Sequence, residues 1–66
     1  MGKSTEVEIA VVVKVVTDKA ILINDGKIDV WIPKSQVTDY AGSDDLDQRV
    51  TSIFLPEWLA IEKGLV

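Results

Sequence analysis

The segment Trp31-Ile32-Pro33-Lys34-Ser35-Gln36 gathers an indole, an ammonium, a hydroxyl and a carboxamide into one short stretch of chain. An indole offers a stacking face, and the polar groups after it donate to phosphate and sugar oxygens. Together these are the contacts a nucleotide-like ligand requires. Tyr40 adds a second aromatic, and Arg49, the single arginine, can grip a phosphate or carboxylate with two parallel hydrogen bonds. The candidate ligand-binding set is therefore Trp31, Lys34, Ser35, Gln36, Tyr40 and Arg49. Each has a plainer use. Lys34 is also what a solvated surface lysine looks like, and Trp31 also suits packing. Arg49 serves equally as a phosphate contact across a subunit boundary or as the ion-pair partner of a neighbouring aspartate.

Catalysis finds little footing in the same residues. General acid–base and nucleophilic chemistry recruit His or Cys most often, and the chain contains neither. Ser35 sits next to Lys34, but adjacent residues of a strand or turn usually point apart, which separates hydroxyl from amine. No P-loop, G-x-G-x-x-G or H-E-x-x-H pattern occurs. Asp44, Asp45 and Asp47 carry the oxygen ligands a hard cation takes, but the twelve-residue calcium-loop pattern is missing, so they read as a solvated acidic loop. The expectation is a binding protein that is not an enzyme, with no cofactor and no metal.

A chain of 66 residues makes one domain, residues 1–66, and buries only about 60% of the surface its unfolded form exposes. Small scaffolds compensate with disulfides, metals or self-association. Without Cys or His, self-association is the remedy left, and a 47% apolar composition supplies surface for it. The expected partner is accordingly a second copy of the chain. Eleven acidic residues against 7 basic give a net charge of −4, which argues against a track for a phosphate backbone and makes nucleic acid an improbable partner. A local cationic pocket stays compatible with that balance. Met1-Gly2-Lys3-Ser4-Thr5 does not resemble a secretory leader, and no apolar run approaches a membrane span. These features predict a cytoplasmic protein without membrane attachment.

Local patterns outline the scaffold. Residues 6–17 alternate, with Val7, Ile9, Val11, Val13 and Val15 on one side, as in a half-buried strand. Val12 and Val16 break the alternation and suggest a bend or a partner on the second face. Asp25-Gly26 between two apolar runs predicts a hairpin with a two-residue loop. That loop sets Ile23 opposite Ile28 and Ile21 opposite Val30, leaving Ala20, Leu22, Asp29 and Trp31 on the reverse face, away from the core. Pro33 ends the strand. A short strand over 36–40, a loop over 41–48 and a strand over 49–55 follow. Pro56 then opens a helix of about eight residues capped by Gly64, with Lys63 in its last turn, and such a short helix needs Trp58, Leu59 and Leu65 as packing anchors. The fold class is mainly β: a small barrel-like or curled antiparallel sheet with a short C-terminal helix.

Two signatures, Trp31-Ile32-Pro33-Lys34-Ser35-Gln36 and Leu55-Pro56-Glu57-Trp58-Leu59-Ala60 with Lys63-Gly64-Leu65 behind it, resemble a group of very small phage and prophage proteins. The similarity covers residues 7–40 and 50–66. It implies a phage-type accessory factor acting in the host cytoplasm. Some small phage proteins of this size act as counter-defence sponges that bind nucleotide immune signals of the host, and the resemblance extends that expectation to this chain. Two alternatives stand beside it. One is a protein-interaction module using the apolar face of residues 7–16 or the terminal helix. The other is a small barrel that binds single-stranded nucleic acid through Trp31 and Tyr40.

Overall fold

In the computed structural model, which describes residues 5–66, six strands form two three-stranded antiparallel sheets followed by one short helix. The strands are β1 (Glu6–Ala10), β2 (Val12–Val16), β3 (Ala20–Asn24), β4 (Asp29–Pro33), β5 (Asp39–Ala41) and β6 (Ser52–Pro56). A single 3-10 turn, Lys34–Gln36, links β4 to the next strand, and α1 (Glu57–Glu62) closes the order. One sheet runs β1-β6-β5 and the other β2-β3-β4. The fold is thus mainly β, with curled sheets that do not close into a barrel. Among the described residues no helix is long and apolar enough to cross a membrane. The leader reading of Met1–Ser4 lies outside the described residues.

The alternating segment expected as one strand is divided between the two sheets. Val11 is the corner: its side chain is buried, and its N–H leaves the strand pattern to donate to the Thr51 carbonyl at 3.0 Å. One continuous chain segment thereby serves both sheets. A bulge follows at Lys14, where the β2–β3 register shifts between Val13 and Val15. The extra residue swaps faces, so Val13 points into the core and Val15 points away from it, opposite Leu22. Val15 on the core side is therefore corrected.

The hairpin forms, with a longer loop than expected. Asn24 pairs with Asp29, Ile23 with Val30 and Ile21 with Ile32, which leaves Asp25–Ile28 as the loop. The reason is local hydrogen bonding. The Asp25 carboxylate accepts from the Lys27 and Ile28 N–H groups at 2.9 and 3.0 Å, and the Asn24 side-chain oxygen accepts from Gly26 N–H at 2.7 Å. These bonds satisfy a four-residue turn that a two-residue loop would exclude. Because the register differs by an even number of residues, the face assignment survives. Ile21, Ile23 and Ile32 are wholly buried, while Leu22 and Trp31 pair on the reverse face.

The core joins Ile9, Val11, Val13, Ile21, Ile23, Ile32, Val50, Ile53, Leu55, Leu59 and Ala60. β6 is its spine, paired on both sides by β1 and β5. Its polar Ser52 is tolerated because the hydroxyl donates to Glu8 Oε2 at 2.8 Å. Three boundaries differ from the sequence reading. Residues 34–36 form the 3-10 turn and β5 begins only at Asp39; the last strand spans Ser52–Pro56; and Pro56 ends that strand as the cap of a six-residue helix. Lys63 lies at the C-terminal cap, outside the last turn, and Gly64 follows with φ of 76°. Leu59 and Ala60 anchor α1. Trp58 does not: it is 53% exposed, because the buried stripe of so short a helix is filled by its two neighbours.

Candidate functional site

The β2-β3-β4 sheet has an inner face on the core and an outer face that carries Trp31. Three tiers cross that outer face. At the hairpin end, Asn24 Nδ2 donates to Asp29 Oδ1 at 2.9 Å, and Lys14 Nζ lies 3.1 Å from the same oxygen. These two partners, Asn24 first, hold the Asp29 carboxyl below its ordinary pKa. In the middle, Val15, Leu22 and Trp31 form a cross-strand apolar row. Trp31 is 48% exposed and Val15 39% exposed, so the row is open to solvent. At the far end, Ala20 pairs with Pro33, and the chain enters the 3-10 turn.

That far end also carries two lysines, at register positions that alternate with Trp31. Lys34 N–H donates to the Lys19 carbonyl at 2.8 Å, which sets two lysines side by side where β3 begins and β4 ends. Neither ammonium takes part in an ion pair among the described residues. Lys19 escapes a sequence reading because only the strand register brings it next to Lys34. Ser35 is exposed and Gln36 half-buried in the same 3-10 turn. The structure thus gathers Trp31, Lys34, Ser35 and Gln36 at one end of one sheet and adds Lys19 to them.

Tyr40 and Arg49 are placed elsewhere. Tyr40 belongs to β5 in the other sheet, opposite Ile53, where its ring packs against the core and its hydroxyl donates to the Asp44 carbonyl at 3.3 Å. Arg49 is committed within its own loop. Its Nη2 lies 2.8 Å from Asp47 Oδ2, with Nε 3.3 Å from both Asp47 oxygens. This guanidinium is the main cause that holds the Asp47 carboxyl down at about 2, with the Arg49 backbone N–H and the Ser43 hydroxyl adding to it. The arginine is raised in turn by the same partner. Of the two uses open to Arg49, the intrachain ion pair is the one formed.

A separate open cleft of about 250 Å³ lies at the corner between the sheets, lined by Ala10, Val11, Val12, Asn24, Asp25, Gly26 and Thr51. None of the six candidate residues borders it. Among the described residues no group of carboxylates is arranged to hold a metal ion. No protein family, no curated protein and no solved structure matches this chain.

Proposed function

We propose that this chain is a non-catalytic, self-associating binding module that holds an anionic, nucleotide-like molecule at the Trp31 end of its β2-β3-β4 sheet. In this reading it is a phage-type accessory protein that sequesters a host immune signal in the host cytoplasm. The observation that carries the reading is the open indole of Trp31 on the strand that leads into Lys34, with Lys19 brought to the same end of the sheet by the register and neither lysine in an ion pair among the described residues. A base or other flat ring stacks on the indole, and phosphate oxygens meet the two lysines and the hydroxyl of Ser35. Gln36 offers both a donor and an acceptor for a ring edge or sugar. Tyr40 and Arg49 join such a site only from a second copy, and Arg49 only by giving up Asp47. The ligand leaves chemically intact, since the site has no His or Cys to drive turnover.

Isothermal calorimetry of the whole chain against cyclic mono- and dinucleotides and ADP-ribose-type compounds tests this. The reading expects saturable binding at micromolar strength or tighter by at least one compound, lost in both Trp31→Ala and Lys34→Ala. Absence of heat from every compound overturns it.

A second reading, a protein-docking module, draws on a different observation. Trp58 and Ile61, one helical turn apart on α1, are 53% and 59% exposed. A large paired apolar exposure on so short a helix is the kind of surface a partner protein covers.

A further inference from the structure

The four outer edges of the two sheets are not equally protected against pairing with another strand. Exposed edges carry unpaired N–H and C=O groups, and proteins blunt them with charges, bulges or brevity. β1 carries exposed Glu6 and Glu8, β2 carries the Lys14 bulge, and β5 is only three residues long. β4 is framed by Asp29 and Pro33, and its centre, Val30-Trp31-Ile32, bears no charge and no bulge.

The hydrogen-bonding register tells which groups of β4 face outward. Just beyond the two ends of the ladder Lys34 N–H donates to the Lys19 carbonyl and Asp25 N–H to the Ile28 carbonyl, so within it Ile32–Ile21 and Val30–Ile23 are the hydrogen-bonded pairs. The alternate residues Asp29, Trp31 and Pro33 therefore aim their backbone groups at the open edge. Pro33, which lacks an N–H, stands on that side, as a proline in an edge strand does. Among the described residues no backbone group bonds to Asp29 or Trp31 from this side.

We infer that β4 pairs antiparallel with β4 of a second copy, joining the two β2-β3-β4 sheets across a two-fold axis. The inference rests on the self-association in the reading above and names the surface that performs it. One register satisfies the edge fully. With Asp29 of each copy opposite Trp31 of the other, both residues exchange N–H and C=O bonds in both directions, and Pro33 falls beyond the paired stretch. Centring the pair on Trp31 would instead leave the Asp29 carbonyl facing a donorless Pro33. The chosen register also brings each Trp31 indole beside the Lys14–Asp29 ion pair of the other copy, an aromatic face against an ammonium. The two Trp31 indoles then flank the two-fold axis, with the lysines of each copy at opposite ends of the shared edge.

Edge pairing over so short a strand buries less than the roughly 800 Å² per partner typical of tight complexes, so micromolar or weaker association is expected. The chain is short enough for chemical synthesis, which permits N-methylation of the Trp31 amide with every side chain retained. That amide faces the open edge, so its methyl group leaves the β3 ladder intact. Sedimentation from about 10 μM to 1 mM should show a dimer for the unmodified chain, with the dissociation constant raised about a hundredfold or more by the methyl group. Far-UV circular dichroism should coincide for the two. A chain that stays monomeric throughout overturns the self-association reading together with the edge. A dimer that persists after N-methylation overturns the edge alone.

Discussion

Two glycines separate backbone strain from steric clash. Gly26 in the hairpin loop and Gly42 after β5 have nearly the same φ, 102° and 100°, a region that residues with a Cβ rarely enter. Their surroundings differ. A methyl group on Gly26 meets nothing within 4 Å, whereas on Gly42 it lies 2.7 Å from Thr51 N, 2.8 Å from Thr51 Oγ1 and 2.9 Å from the Arg49 carbonyl. Gly26→Ala therefore carries only the conformational cost, about 1–2 kcal/mol. Gly42→Ala carries that cost plus a clash that backbone atoms cannot relieve cheaply. Relief would displace Thr51, whose N–H donates to the Ala41 carbonyl at 2.9 Å and whose carbonyl accepts from Val11 at 3.0 Å. Loss of two hydrogen bonds, at about 1 kcal/mol each, brings the total to about 3–4 kcal/mol. In a domain this small, 1 kcal/mol moves Tm by about 4–8 °C, so the two variants should differ by about 10 °C or more. Thermal and urea denaturation followed by circular dichroism measure both. Equal losses, or a Gly42→Ala chain as stable as its parent, would refute the claim that the Thr51 contact pins the loop to the sheet corner.

Leu55→Ala, at a wholly buried position of β6, should cost about 2–5 kcal/mol by urea denaturation, while Trp58→Ala, half exposed, should cost less than about 1 kcal/mol. The reverse order would contradict the anchoring of α1 by Leu59 and Ala60. Acid should weaken the fold through three carboxylates. Asp47, Asp25 and Asp29 are all held below the ordinary value, by Arg49, by the Ile28 and Lys27 N–H groups, and by Asn24 with Lys14, respectively. A depressed folded-state pKa gives stability that is full above the unfolded value of 3.8 and is lost as pH falls toward about 2. Urea midpoints should drop across that interval, and Asp47→Asn should flatten part of the drop; a midpoint independent of pH there contradicts these pairings.

The legible part of this fold is the part governed by period-two alternation. Ile21, Ile23 and Trp31 are assigned to their faces by parity alone, and parity survived an error in loop length. The loop length itself depends on the Asp25 and Asn24 side chains bonding the turn, a choice that Asp-Gly does not encode. The Val11 corner and Lys14 bulge were illegible for a related reason. A run of valines offers no polar mark where the chain changes sheets, and a bulge is fixed by pairing with β3. For the candidate site, Trp31, Lys34, Ser35 and Gln36 are adjacent in sequence and stay adjacent in space. Lys19 entered through register, and Tyr40 and Arg49 were drawn off by the core and by Asp47.

The proposed function requires that the Trp31 end of the β2-β3-β4 sheet retain an anionic guest without altering it. Native mass spectrometry of the chain mixed with the nucleotide panel, followed by denaturation and identification of the released molecule, tests it directly. The expected result is a complex whose released ligand has its original mass, and which disappears in Trp31→Ala. A bare protein, a ligand of changed mass, or a complex indifferent to Trp31→Ala would contradict it.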